Sequence, residues 1–160
     1  MLSTAEPAAV ARHPVNLVAQ QRKIGAAAKP RIGCAGIVRA GDSILLGQRN
    51  KDPNRGLWVL PGGGVQFGET LADTLAREIA EEAAIEIVVE DVFNVCEIVN
   101  PPEEHRIIVY LNARHHRGNP TASSDLSDVR FFAPEELRAM SRDGLISPVV
   151  ETILRKAGLI

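Results

Sequence analysis

The segment Gly63–Ile85, GGVQFGETLADTLAREIAEEAAI, constrains this chain more than any other. It predicts a helix from Thr70 to Ala83, because Leu71, Leu75 and Ile79 recur every four residues with Ala72, Ala76 and Ala83 beside them. That face is expected to pack inward, with Thr74, Arg77, Glu78, Glu81 and Glu82 on the other side. Glu78 lies four residues from Glu82 and three from Glu81, so the carboxylates are expected to converge. Carboxylates this close repel one another unless a positive charge sits between them. Alone, such a face would be a solvated surface, with ion pairs contributing a few tenths of a kcal/mol each. The preceding loop, Pro61-Gly62-Gly63-Gly64, argues for more. Pro61 fixes the exit from a strand, and glycines reach backbone angles closed to other residues. Such a loop can turn a carbonyl toward a metal or amides toward a phosphate. A hard divalent cation such as Mg²⁺ suits these oxygen ligands and accepts phosphate oxygens in the same shell. Glu78, Glu81 and Glu82 are the expected ligands and Arg77 a support for one of them; the metal would activate a water toward a diphosphate.

Around this segment the chain reads mostly as short strands. Arg31–Val38 and Ser43–Arg49 flank the turn Ala40-Gly41-Asp42 and suggest a hairpin. Further strands are expected at Leu57–Leu60, Ile85–Val89, Val92–Val99, His105–Ala113 and Val129–Phe132, with polar loops at Asn50–Gly56, Asn100–Glu104 and His115–Asp128. Pro134 opens a short helix to Met140, and Ser147–Ala157 predicts a terminal one. One strong central helix and two late ones among many strands imply an α/β class, with a mixed central sheet sandwiched between helices. Residues 1–30, rich in Ala and holding Pro7, Pro14 and Pro30, read as an N-terminal extension with a short helix around Val15–Lys23. Residues 31–160 read as the domain.

Bulk properties narrow the function. A chain of 160 residues can bury one real core. A net charge of −2 argues against a polynucleotide partner but leaves a mononucleotide substrate open. No apolar run of about 18 residues is present, so no membrane span is expected. Ala26-Ala27-Ala28 resembles a signal cleavage site, yet Arg22 and Lys23 interrupt the stretch before it, and a cytoplasmic protein is expected. Cys34 and Cys96 lack metal spacing and read as buried free thiols in a reducing compartment.

At these residues the sequence resembles the Nudix hydrolase family of MutT-like pyrophosphohydrolases. Its signature runs Gly, five residues, Glu, seven residues, Arg-Glu, an aliphatic residue, one residue, Glu-Glu, one residue, Gly and an aliphatic residue. Gly63, Glu69, Arg77, Glu78, Ile79, Glu81, Glu82 and Ile85 hold that spacing. The approach Gly56-Leu57-Trp58-Val59-Leu60-Pro61-Gly62-Gly63 is also similar to the family's usual entry. One position departs: Ala84 stands where the family has Gly, and an alanine there adopts a left-handed cap at a cost of about 1 kcal/mol or more.

The resemblance implies Mg²⁺, with Mn²⁺ as a substitute, held by Glu78 and Glu82, with Glu81 completing or bridging a second ion and the Gly63 carbonyl as a further ligand. Glu69 and Arg77 are implied as supports that orient the glutamates. The implied reaction is attack of water on a nucleoside diphosphate linked to a group X. Glu78 is the first choice of general base, and Glu103, Glu104, Asp125 or Asp128 the second. The Glu81-Glu82-Ala83-Ala84 ending leans toward nucleoside triphosphates, noncanonical ones included, while an ADP-ribose or nucleotide-sugar substrate is the alternative. A silent nucleotide-sensing domain is the third reading, opposed by the complete glutamate set. A homodimer is a reasonable expectation for the family. From the residues themselves, Arg49, Lys51 and Arg55 are candidate phosphate-binding cations, and Trp58 and Phe67 candidate base-stacking rings, with Trp58 equally suited to the core. His105, His115 and His116 lack ligand spacing and read as structural or exposed.

Overall fold

The computed structural model describes residues 29–100 and 104–160. The expected helix around Val15–Lys23 and the side chain of Glu103 lie outside them. Seven strands and three helices follow in the order β1 (Arg31–Ala40), β2 (Ser43–Arg49), β3 (Trp58–Val59), β4 (Gly62–Gly64), α1 (Leu71–Ala83), β5 (Glu86–Asn100), β6 (Glu104–Arg117), β7 (Leu126–Phe132), α2 (Pro134–Arg142) and α3 (Pro148–Lys156). The sheet is mixed. β1 runs parallel to β6, and every other pairing is antiparallel. This is the α/β sandwich that the pattern of elements implied.

The sheet is divided in a way that builds the site. Along one edge β1 pairs with β6, from Arg31 beside Arg106 to Arg39 beside Arg114. Its other edge is shared, with Gly33–Ala35 taking β4 and Arg39–Ala40 taking β2. β2 is shared likewise, holding β7 along one edge and β1 and then β3 along the other. After their hairpin, β1 and β2 therefore part, and the run from Trp58 to Gly64 fills the gap. Pro61, between β3 and β4, accepts the Gly36 N–H through its carbonyl at 3.0 Å.

Each face of the sheet buries its own apolar cluster. Under α1 pack Cys34, Val38, Leu45, Leu75, Ile79, Ala83, Val109 and Leu111. Under α2 and α3 pack Ile37, Leu46, Trp58, Phe132, Leu137, Ile153 and Leu154. Alternation along β1 accounts for this, since Cys34 and Val38 point one way and Ala35 and Ile37 the other. Trp58 is core, edge-on to Phe132 with ring centroids 4.7 Å apart. Phe67, by contrast, is fully exposed. Cys34 is a buried free thiol as expected, whereas Cys96, on the outer strand β5, is only half-buried.

Three local expectations are corrected. Gly62–Gly64 form a short strand on β1 instead of a loop. The expected pair Ile85–Val89 and Val92–Val99 is one strand, whose register shifts near Val92 absorb Glu90 and Asp91. The polar loop after β6 is shorter, because that strand continues to Arg117 through cross-strand pairs such as Glu86–Arg117.

Candidate active site

Helix α1 begins with a reciprocal cap. Thr70 Oγ1 accepts the Asp73 N–H at 3.1 Å, and Asp73 Oδ2 accepts the Thr70 N–H at 3.3 Å. From this start the helical step of about 100° per residue puts Glu82 within about 20° of Leu75 and Glu78 about 60° away. Both glutamates consequently turn toward the sheet. Thr74 and Glu82 are buried, while Ala72 and Ala76 are exposed. The face assigned to solvent from sequence is thus partly the packed one, because the apolar stripe Leu71–Leu75–Ile79 lies at the middle of a broader inward arc.

The glycines of β4 make room for this arc. A side chain at Gly63 would overlap the Glu78 carboxylate, and one at Gly62 would overlap the backbone of Cys34 and Ala35. Gly64 faces open space. Close approach therefore requires glycine at the first two positions. At Gly62 the backbone N–H donates to Glu82 Oε2 at 3.1 Å.

Arg77 ties the assembly together. Its Nε and Nη2 donate to the two oxygens of Glu69 at 2.7 and 2.9 Å, and Nη1 donates to Glu78 Oε1 at 2.8 Å. Nη2 also reaches the Gly64 carbonyl at 3.2 Å. Glu69 is fixed further by Thr74 Oγ1 at 2.9 Å and the Gln66 N–H at 3.1 Å. Hydrogen bonds from Arg77, aided by those from Gln66 and Thr74, hold the Glu69 carboxyl down near about 2. Glu81 stands apart, with its side chain 56% exposed and 3.6 Å from Arg77 Nη1. The expected convergence of three carboxylates is therefore a convergence of two. Among the described residues no three His, Cys, Asp or Glu side chains gather as a ready-made metal cage.

Glu82 carries the distinctive electrostatics. Burial pushes its carboxyl up to about 7; the Gly62 amide opposes this, the charges of Glu78 and Asp125 add to it, and Arg49 opposes it. A cleft of about 510 Å³ opens beside it at the parting of β1 and β2, lined by Gly62–Gly64, Glu82, Arg49, Lys51 and Asp125. Arg49 donates Nε to the Pro53 carbonyl at 2.9 Å, and Lys51 pairs with Asp125. Arg55 is not brought to the cleft. The loop folds back through Gly56 N–H to Arg49 O, leaving Arg55 outside with Asp52 at 3.7 Å. Of the alternative acids, Asp125 and Glu104 line the cleft, whereas Asp128 sits on β7 opposite Gln48, outside the lining. Sequence reasoning missed Arg31, Tyr110 and Arg106, which line the far wall. Nothing local in the sequence sets them apart, because only the parallel pairing of β1 with β6 brings them together.

Comparison with known proteins settles the family. The model of the NUDIX domain matches residues 28–150. The chain belongs to the Nudix family. A MutT Nudix hydrolase from Burkholderia pseudomallei is similar at a TM-score of 0.70 and 25% identity, over 81% of this chain and 98% of that one. A Nudix hydrolase from Nitrosomonas europaea gives 0.68 and 24%, over 79% and 69%. An ADP-ribose pyrophosphatase from Streptococcus suis gives 0.55 and 24%, over 67% and 76%. No curated protein matches. As a Nudix hydrolase the chain acts on acid anhydrides of phosphorus compounds, a family chemistry that uses divalent metal ions and small nucleotide-derived substrates. Among the described residues no helix is long and apolar enough to cross a membrane.

Proposed function

We propose that this Nudix hydrolase uses Mg²⁺ to cleave the diphosphate linkage of a nucleoside diphosphate joined to a further group, with nucleoside triphosphates as the favoured class. One observation carries the reading: a buried carboxylate, Glu82, feels the charge of Glu78 and, among the described residues, accepts only the backbone N–H of Gly62. Burying a charged carboxylate with so little compensation is unfavourable unless a cation joins it. Two carboxylates fit Mg²⁺, which keeps several waters and takes phosphate oxygens as ligands, so a full protein cage is not required. Glu78 and Glu82 would hold the ion, the Gly63 carbonyl would assist, and Glu81 at the rim would serve a second ion. When bound, the metal supplies charge neutralisation on the diphosphate and a more acidic water.

The chain's own groups do the rest. Arg77 fixes Glu78 and is itself oriented by Glu69, so the carboxylates are positioned before substrate arrives. Arg49 and Lys51 meet the phosphates at the mouth. Glu78 is the first choice to accept the proton of the attacking water, and Asp125, already at the cleft, is the second. The Glu81-Glu82-Ala83-Ala84 ending supports the triphosphate preference.

A substrate panel in Mg²⁺ with chromatographic separation of products tests this. Inorganic pyrophosphate and a nucleoside monophosphate are expected from triphosphates. AMP and ribose 5-phosphate from ADP-ribose, without triphosphate cleavage, would reassign the substrate. Inactivity on both classes in Mg²⁺ and in Mn²⁺ would overturn the reading.

A further inference from the structure

The loop after β2, which carries Lys51, is tied to the helix that carries the glutamates. Helix α1 ends at Ala83, and its last carbonyls have no partner within the helix. The Ala83 carbonyl accepts the Thr121 N–H at 2.9 Å, and the Glu82 carbonyl accepts the Ser123 N–H at 3.1 Å. Residues 121–123 therefore lie along the same turn of α1 that bears the Glu82 carboxylate. Just beyond them, the pairing of Arg49 with Leu126 brings Asn50 to Asp125. Asn50 donates twice there. Its backbone N–H reaches the Asp125 carbonyl at 3.0 Å, and its side-chain Nδ2 reaches the Ser124 carbonyl at 2.9 Å. Lys51, the next residue, pairs with the Asp125 side chain, and both line the cleft. Between the two ties stands Ser124, with φ at +57°. That left-handed angle is unfavourable for a residue with a side chain, and it persists only where surrounding contacts enforce it. The Asn50 amide is one such contact, because it holds the Ser124 carbonyl.

We propose that Asn50 is a positioning residue of the hydrolytic site, keeping Lys51 in register with the Glu82 turn through Ser124 and Asp125. The inference rests on the nucleotide-hydrolase reading above. Lys51 is a flexible arm on an exposed loop, half of its side chain in solvent. Its ammonium aids the reaction only where it meets a phosphate at a fixed place relative to Glu78 and Glu82. Nothing in the loop itself sets that place. The reference is α1, and the path from α1 to Lys51 runs through the bonds that Asn50 makes. Without the amide, Ser124 relaxes out of the left-handed region, Asp125 turns with it, and Lys51 loses its partner.

A double-mutant cycle tests this. It uses the full chain in Mg²⁺ and reads kcat/KM for ATP, GTP and ADP-ribose, on whichever is turned over. Asn50→Ala and Lys51→Ala are each expected to lose about 10-fold, as misplacement or removal of an oriented group does. Asn50→Asp, of the same shape but without the donor, is expected to lose as much. The double variant Asn50→Ala, Lys51→Ala is expected to fall no more than about twofold below Lys51→Ala, because nothing is left to position. A merely structural role would multiply the two losses, since a smaller folded fraction lowers activity equally in either background. Circular dichroism on heating measures that fraction for each variant. Multiplied losses, or wild-type activity in any of the single variants, would overturn the proposal and leave the hydrolase reading intact. Should the wild type turn over no nucleotide, that earlier reading fails. Calorimetric binding of inorganic pyrophosphate in Mg²⁺, over the same cycle, then decides the positioning. Non-additive loss of affinity supports it, and additive loss or none overturns it.

Discussion

Glu82 concentrates the conflict between folding and function in one side chain. Burial disfavours the charge and pushes its carboxyl from the ordinary 4.5 up to about 7. The sign follows from linkage. The protonated form stabilises the fold fully below pH 4.5, and that contribution is lost as pH rises through about 7. Metal-free protein is therefore expected to lose on the order of 2 to 3 kcal/mol between pH 5 and pH 8 from this group. Thermal denaturation should show the loss in the wild type and its disappearance in Glu82→Gln. The same variant removes a proposed metal ligand and is expected to lose turnover by about 100-fold, the upper end of what loss of a ligand's supporting partner costs. Retained activity would remove Glu82 from the site. Arg77 makes a second, independent case. Lysine keeps the charge but cannot serve both Glu69 oxygens, Glu78 and the Gly64 carbonyl at once. Arg77→Lys is expected to lower kcat/KM about 10- to 100-fold, checked by steady-state kinetics.

Helix α1 and strand β4 act as one unit, and substitutions at their contact test it. Gly63→Ala would drive a methyl group into the Glu78 carboxyl. Overpacking of this kind typically costs about 1 to 3 kcal/mol, and here it would also displace the carboxylate proposed to hold the metal, so thermal stability and turnover should fall together. At the other end of the helix, Ala84 holds φ 55° and ψ 31°, with its N–H reaching the Ala80 carbonyl. Ala84→Gly relieves that left-handed strain and is expected to stabilise the protein by about 1 kcal/mol in denaturant unfolding, with activity unchanged. Much of this unit was legible. The four-residue spacing of Leu71, Leu75 and Ile79 located the helix, and the register of glycines and glutamates marked the candidate site. Two things were not. Charge made Glu82 and its neighbours look solvated, when the width of the inward arc is set by how closely β4 approaches. The glycines suggested freedom of φ and ψ, when the decisive factor at Gly62 and Gly63 is the space their missing side chains leave.

Among the described residues, both apolar clusters are built from residues between Cys34 and Ile160. The NUDIX domain match likewise begins at residue 28. Deleting residues 1–28 is expected to change unfolding free energy by less than about 1 kcal/mol and to leave kcat within about twofold. A larger loss in either would assign the extension to the domain. The order of strands could not be read beforehand, since the pairing of β1 with β6 joins residues 75 positions apart, as Arg31 with Arg106. For the same reason the arginines at positions 31 and 106 carried no local signal. The parting of β1 from β2 has a consequence for how such a chain can change over generations. The groups clamped by Arg77 belong to α1, β4 and the turn between them, whereas the far wall is furnished by β5, β6 and the start of β1. Those outer positions can be rewritten without disturbing the clamp, so a lineage can exchange one molecular diet for another while inheriting the same bond-breaking tool.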